Sequence, residues 1–122
     1  MAVAFSPNSK QLASASRDDT VRLWDAGTGV ALRTLKGPPR DIYATNIALA
    51  FSPDSKQLAS ALDHETVRLW DTNTGAALQM LKGHSGGIFV VAFSPNGKQL
   101  ASASDDFDRT VKLWDVDTGA AL

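Results

Sequence analysis

The chain has 122 residues, 12 Lys and Arg against 13 Asp and Glu, a net charge of -1, 43% apolar residues and no cysteine. So even a charge balance excludes a partner gripped mainly through its phosphates, which needs a basic stripe. Without Cys there is no disulfide, no thiolate nucleophile and no cysteine metal site.

Met1-Ala2-Val3-Ala4-Phe5-Ser6-Pro7 has neither a basic n-region nor a long apolar run, so no signal peptide is expected. No stretch of 18 apolar residues offers a membrane-spanning helix. The expectation is a soluble protein of a reducing compartment, the cytoplasm first and the nucleus second. A single compact domain of this size would bury about two thirds of its extended-chain surface, enough for a core. Glu65 is the one Glu among the acidic residues; the rest are Asp. Asp is the weaker helix former, and its short carboxylate suits turns and caps. Short strands joined by tight turns are therefore expected.

The chain repeats itself. Ala4-Phe5-Ser6-Pro7 returns at 50–53 and 92–95, and Thr20-Val21-Arg22-Leu23-Trp24-Asp25 returns at 66–71 and, with Lys for Arg, at 110–115. The underlying unit is about 42 residues, with extra residues between Gly37 and Phe51 and between Asp105 and Thr110. In the second copy the elements run in order as strands near 47–51, 57–61, 66–70 and 77–81. Ala59 and Ala61 face away from Leu58, Ser60 and Leu62, and Val67 and Leu69 face away from Thr66, Arg68 and Trp70, a period of two. Pro53-Asp54-Ser55-Lys56 and the segment from Asp71 to Gly75 read as turns. Ala76 to Leu81 favours helix by propensity but is too short to hold one alone, and is read as a strand. One such sheet cannot bury both apolar faces, and stacking copies does. Trp24, Trp70 and Trp114 then serve as spacers between sheets.

Val-Arg-Leu-Trp-Asp at 21–25 and 67–71, its Lys variant at 111–115, Leu-Lys-Gly at 35–37 and 81–83, and Gly83-His84 make the chain resemble the WD-repeat β-propeller family (WD40 repeats). Ser102 to Asp106 and Thr74 to Gln79 more narrowly resemble the duplicated arrays in large fungal or bacterial nucleotide-binding (NACHT/STAND-type) signalling proteins. The resemblance implies an all-β fold, an open, incomplete propeller arc of three four-stranded antiparallel blades. These lie at about 1–36, 47–82 and 88–122, the outer strand of the third cut short. Strand a is expected at 2–5, 47–51 and 88–93, and strand d at 30–35 and 76–81. Family propellers usually hold four to eight blades, so three leave two sheet faces without a neighbour. Three readings stay open: a fragment (or incomplete gene model) of a longer propeller, self-association through the open blade faces toward six blades, or a lone arc.

His84, Ser102 or Ser104, and Asp106 or Asp108 invite a hydrolase reading, but no nucleophile elbow surrounds these serines. The resemblance implies instead a buried hydrogen-bond network at one end of each blade. Its members are assigned as Asp18, Trp24, Trp70, His84, Ser104, Asp106 and Trp114. Pro38 stands where the second blade's His is expected and His64 where its Asp is. A lost buried hydrogen bond costs about 1–3 kcal/mol, so the second blade is expected to be the weaker of the two complete ones. Two His and no Cys are too few for a metal site, no Gly-rich loop cradles a phosphate, and no cofactor is implied.

The d–a and b–c connections share one rim, and both length irregularities fall there. Loops that vary in length without setting the stack are where binding residues gather. Arg40, Asp41, Tyr43, His64, Phe89, Phe107 and Arg109 are the candidates, of types that anchor protein interfaces. The expected function is a non-catalytic protein or peptide interaction scaffold, with no nucleic-acid, membrane or metal partner. The alternative is a structural repeat fragment without binding activity of its own.

Overall fold

Two turns, used again and again, set the strand order. In the first, Ser6 Oγ donates to Asn8 Oδ1 (2.6 Å) and accepts from the Gln11 amide (2.9 Å). Ser52 repeats this with Asp54 and Gln57, and Ser94 with Asn96 and Gln99. The bend takes a left-handed residue, Ser9, Ser55 or Gly97, with φ of 61°, 63° and 73°. In the second turn Asp25 Oδ1 accepts from the amides of Gly27 and Thr28. Asp71 and Asp115 hold their own turns in the same way. The preference for Asp over Glu serves this purpose: only the shorter carboxylate reaches amides two and three residues on.

The computed structural model describes residues 2–15, 20–36, 47–61, 66–84, 87–104 and 109–122. Strands β1 (Ala2–Phe5), β2 (Gln11–Ala15), β3 (Thr20–Asp25) and β4 (Ala31–Lys36) make a first antiparallel sheet in chain order. Strands β5 (Ala48–Phe51), β6 (Gln57–Ala61), β7 (Thr66–Asp71) and β8 (Ala77–Lys82) make a second. The strands expected in this copy agree with β5–β8 to within a residue at each end, the Ala- and Leu-rich β8 included. The third sheet holds β9 (Ile88–Phe93), β10 (Gln99–Ser104) and β11 (Val111–Asp115). Beyond it Ala121 makes one isolated bridge to Trp114, and the Leu122 amide donates to Leu113 O. Among the described residues the three antiparallel sheets thus hold four, four and three strands, the all-β open arc expected from sequence.

Each sheet has two unlike faces. One carries Ala from strand b and Val and Leu from strand c; the other carries Phe from a, Leu from b and Trp from c. Ala13, Ala15, Val21, Leu23 and Leu35 of the first sheet pack with Phe51, Leu58 and Trp70 of the second. Ala59, Ala61, Val67, Leu69 and Leu81 of the second pack with Val91, Leu100 and Trp114 of the third. The two cores therefore repeat one contact, and the middle sheet is covered on both sides. The arc is open: Phe5 (66% exposed) and Val3 lie on the outer face of the first sheet, and Val111 (70%) and Leu113 on that of the third. Among the described residues no helix is long and apolar enough to cross a membrane.

Candidate functional site

Pairing register brings a tryptophan of strand c over a serine of strand b in every sheet. Trp24 Nε1 donates to Ser14 Oγ (3.0 Å), Trp70 Nε1 to Ser60 Oγ (2.9 Å) and Trp114 Nε1 to Ser102 Oγ (2.9 Å). In the third sheet His84 joins, its Nε2 2.7 Å from Ser102 Oγ and its Nδ1 3.4 Å from Thr110 Oγ1. Gly83 lets the chain pass this close to the indole: a Cβ there would stand 3.1 Å from Trp114 Cη2. The serine of this network is Ser102, correcting Ser104. In the first two sheets Trp and Ser lie ten residues apart and in the third twelve. The extra residues before Thr110 lengthen the hairpin without moving the Trp114–Leu100 pairing. The Ser104 Oγ is buried with no hydrogen-bond partner among the described residues. Asp18 and Asp106, assigned to the same network, lie outside the described residues. The second sheet keeps its Trp70–Ser60 bond; Pro38 and His64, expected to weaken it, also lie outside them.

By distance alone Ser102 and His84 resemble a nucleophile and its base. Both are sealed, Ser102 at 1% exposure, and the Ser102 oxygen already accepts from the Trp114 indole. A substrate carbonyl has no approach to that oxygen, so the pair satisfies buried polar atoms and fixes Trp114 in its slot. Among the described residues no group of three His, Asp or Glu could hold a metal ion.

Two of the seven rim candidates are described, and they fall on one end of the third sheet. Ser104 pairs with Ile88 and Ala103 with Val90, so Phe89 is the extra residue of a bulge, 52% exposed. Across the same end the Ser104 amide donates to Thr110 O (3.0 Å), and Arg109 precedes it, exposed and left-handed at φ 53°. Phe89, in β9, and Arg109, just before β11, thus lie on the two sides of Ser104. Arg40, Asp41, Tyr43, His64 and Phe107 lie outside the described residues.

The opposite rim carries features that sequence reading missed. The Arg33 guanidinium donates to the carbonyls of Thr74 (3.1 Å) and Asn73, Gln79 Nε2 to Asp117 O (3.0 Å), and the Asn8 amide to Ser55 Oγ (3.2 Å), all from one sheet to the next. Most of the acceptors are backbone carbonyls, which no side-chain pattern announces. A cleft of about 550 Å³ opens between the second and third sheets, lined by Pro53, Asp54, Gln57, Asn96, Lys98 and Asp117 among others. The Asp54 carboxyl is held below its ordinary pKa first by the Ser52 hydroxyl and then by the Lys56 amide. That of Asp71 is lowered by the amides of Thr74 and Asn73.

No curated protein matches the chain. The family model described as WD domain, G-beta repeat, matches it three times, over residues 1–25, 29–71 and 75–115. The second and third matches each begin before the outer strand of one sheet and run through the first three strands of the next. The sequence repeat and the structural sheet are therefore offset by one strand, and each repeat ties two sheets together. On these three matches and the stacked antiparallel sheets they span, the chain belongs to the WD-repeat family.

Proposed function

We propose that this chain is a non-catalytic protein-interaction scaffold. It would form one sector of a larger or oligomer-completed propeller and bind a protein or peptide at the rim of the d–a and b–c connections. The observation that carries the reading is the position of Phe89, pushed out by the bulge, and of the exposed Arg109 at the same end of the third sheet. Aromatic and guanidinium side chains are the types that most often dominate protein interfaces. A bulge that re-aims one side chain at a sheet end is a common device beside binding sites. The buried Ser102–His84 pair supports scaffold over enzyme. The wording of residues 74–79 and 102–106 supports placing the sector among arrays of the nucleotide-binding signalling type.

The test is a displayed-peptide screen on the immobilised 122-residue chain, repeated with Phe89→Ala, Arg109→Ala and Phe107→Ala. Binders that lose about tenfold or more in affinity while the melting temperature stays unchanged support the rim. Equal loss of folding and binding identifies packing residues instead. No binder at all leaves the structural-repeat reading standing.

A further inference from the structure

The arc ends in one face of each kind, and the two ends are the two halves of a contact the chain already makes. On the first sheet the outer face presents Val3, Phe5, Leu12 and Trp24, with Phe5 opposite Leu12 and Leu12 opposite Trp24. The inward face of the second sheet presents Leu49, Phe51, Leu58 and Trp70 in the same register. On the third sheet the outer face presents Ala101, Ala103, Val111 and Leu113, with Ala101 opposite Leu113 and Ala103 opposite Val111. The first sheet offers Ala13, Ala15, Val21 and Leu23 in that register to the second. Over strands a to c, with Val3 for Leu49 the one change in these two sets, the free pair of faces repeats the buried pair. Leu35, which strand d adds to the buried pair, has no counterpart in the third sheet, where Ala121 makes a single bridge.

We propose that a second copy of this chain docks head to tail on the first. The Ala/Val/Leu face of the third sheet of one copy would receive the Phe/Leu/Trp face of the first sheet of the next. A polar contact agrees with the apolar one. Between the first and second sheets the Asn8 amide donates to Ser55 Oγ. Asn96 occupies the place of Asn8 and Ser9 that of Ser55, with the same left-handed backbone at Ser9 and Ser55. Asn96 of one copy therefore meets Ser9 of the next as Asn8 meets Ser55. The contact between the second and third sheets lacks this bond, because Gly97 stands at the serine's position. Like faces do not fit each other: two Trp faces bring bulk against bulk, and two Ala/Val/Leu faces leave a gap. The association is accordingly heterologous, the kind that either closes into a ring or continues.

This rests on the oligomer-completed form of the function proposed above, and it leaves the loop rim free. The test uses the 122-residue chain and two variants, each blocking one face at exposed side chains: Phe5→Asp, and Val111→Asp with Leu113→Asp. Light scattering should show the unaltered chain rising above 12.9 kDa with concentration. Each variant alone should stay at that mass, its self-association weakened about thirtyfold or more. An equimolar mixture should form a one-to-one dimer, because each variant keeps the face the other needs. Trp70 and Trp114 are buried while Trp24 is half-buried, so acrylamide quenching of tryptophan fluorescence should fall in the mixture as Trp24 is covered. The proposal is overturned by an unaltered chain that stays at monomer mass, by a variant that associates by itself, or by a mixture that stays monomeric. Circular dichroism verifies folding, and Val3→Asp replaces Phe5→Asp should that variant unfold. Phe89 and Arg109 are untouched, so rim binding stays readable on the blocked monomers and fails or stands separately.

Discussion

Strands β3 and β7 carry the same six residues, Thr-Val-Arg-Leu-Trp-Asp, in the same register, with the same irregularity before Trp. Each tryptophan donates to a serine ten residues earlier. Yet Trp70 is buried and Trp24 half-buried, and Phe51 is 9% exposed where Phe5 is 66%. Local sequence makes the strand, the turn and the Trp–Ser bond; the neighbouring sheet alone decides how much each is worth. Burying a side chain of this size is worth about 1.5–3 kcal/mol, and the middle sheet gains this at both Trp70 and Phe51. That sum exceeds the roughly 1–3 kcal/mol of one lost buried hydrogen bond, on which the expectation of a weaker second blade rests. Stability in a stacked array follows nearest-neighbour contacts, so the second sheet should be the more stable of the two, against the expectation from sequence.

The largest effect that could break this contrast comes from truncating the paired tryptophans. Trp70→Ala should cost about 3–5 kcal/mol, since it opens a cavity between two sheets. Trp24→Ala should cost only about 1–2 kcal/mol, because water already reaches that ring. Denaturant midpoints on the monomeric Val111→Asp/Leu113→Asp background measure both without interference from association. Amide exchange gives the same contrast without truncation: 66–71 should be protected about tenfold or more beyond 20–25. Equal losses, or equal protection, would mean the local strand carries the stability and the neighbour adds little.

Much of this architecture was legible because its causes are local. Alternation marked β6 and β7, the Asp excess marked the turns, and repeated Phe and Trp marked the stack. What was not legible depends on pairing across distance. Counting ten residues back from Trp114 lands on Ser104, while strand pairing puts Ser102 there, since a hairpin absorbs inserted residues at its tip rather than along its ladder. The bulge that exposes Phe89 lies in the pairing of β9 with β10, which the residue pattern of β9 does not announce. The bonds from Arg33 and Gln79 end on backbone carbonyls of the next sheet, which have no signature in residue type. Of the rim, the residue types could be named, but only Phe89 and Arg109 have gained a described position.

A smaller effect sharpens the comparison within the third sheet, where two serines two residues apart are both buried. Ser102→Ala removes the acceptor of Trp114 Nε1 and the partner of His84 Nε2 together. It should cost about 1–3 kcal/mol, because both groups stay buried. Ser104→Ala removes an oxygen that has no hydrogen-bond partner among the described residues, and should change stability by about 0.5 kcal/mol or less. Thermal melts of the two variants side by side decide it. A larger loss at Ser104 would return the network to Ser104, the member that the family resemblance implied.

The smallest effect again separates the middle sheet from its neighbours, this time by titration. Asp54 occupies the turn position that Asn8 and Asn96 hold in the other sheets, and only the carboxylate titrates. The Ser52 hydroxyl and the Lys56 amide favour the charged form and hold its pKa below the ordinary value. A carboxyl depressed on folding adds stability above its unfolded pKa of about 3.9, and loses it as pH falls through the lower folded value. Acidification through that window should therefore loosen the turn of the second sheet and leave the other two in place. The readout is the amide resonance of Lys56, which donates to Asp54 Oδ1, against that of Lys10, which donates to Asn8 Oδ1. Lys56 should shift with pH while Lys10 does not, and Asp54→Asn should make the two alike. Asp71 adds to the acid sensitivity of the same sheet through its own turn, so the variant should reduce that sensitivity rather than abolish it. Full retention of the acid response in Asp54→Asn would place its origin elsewhere, and the two kinds of turn residue would then be equivalent in every respect but charge.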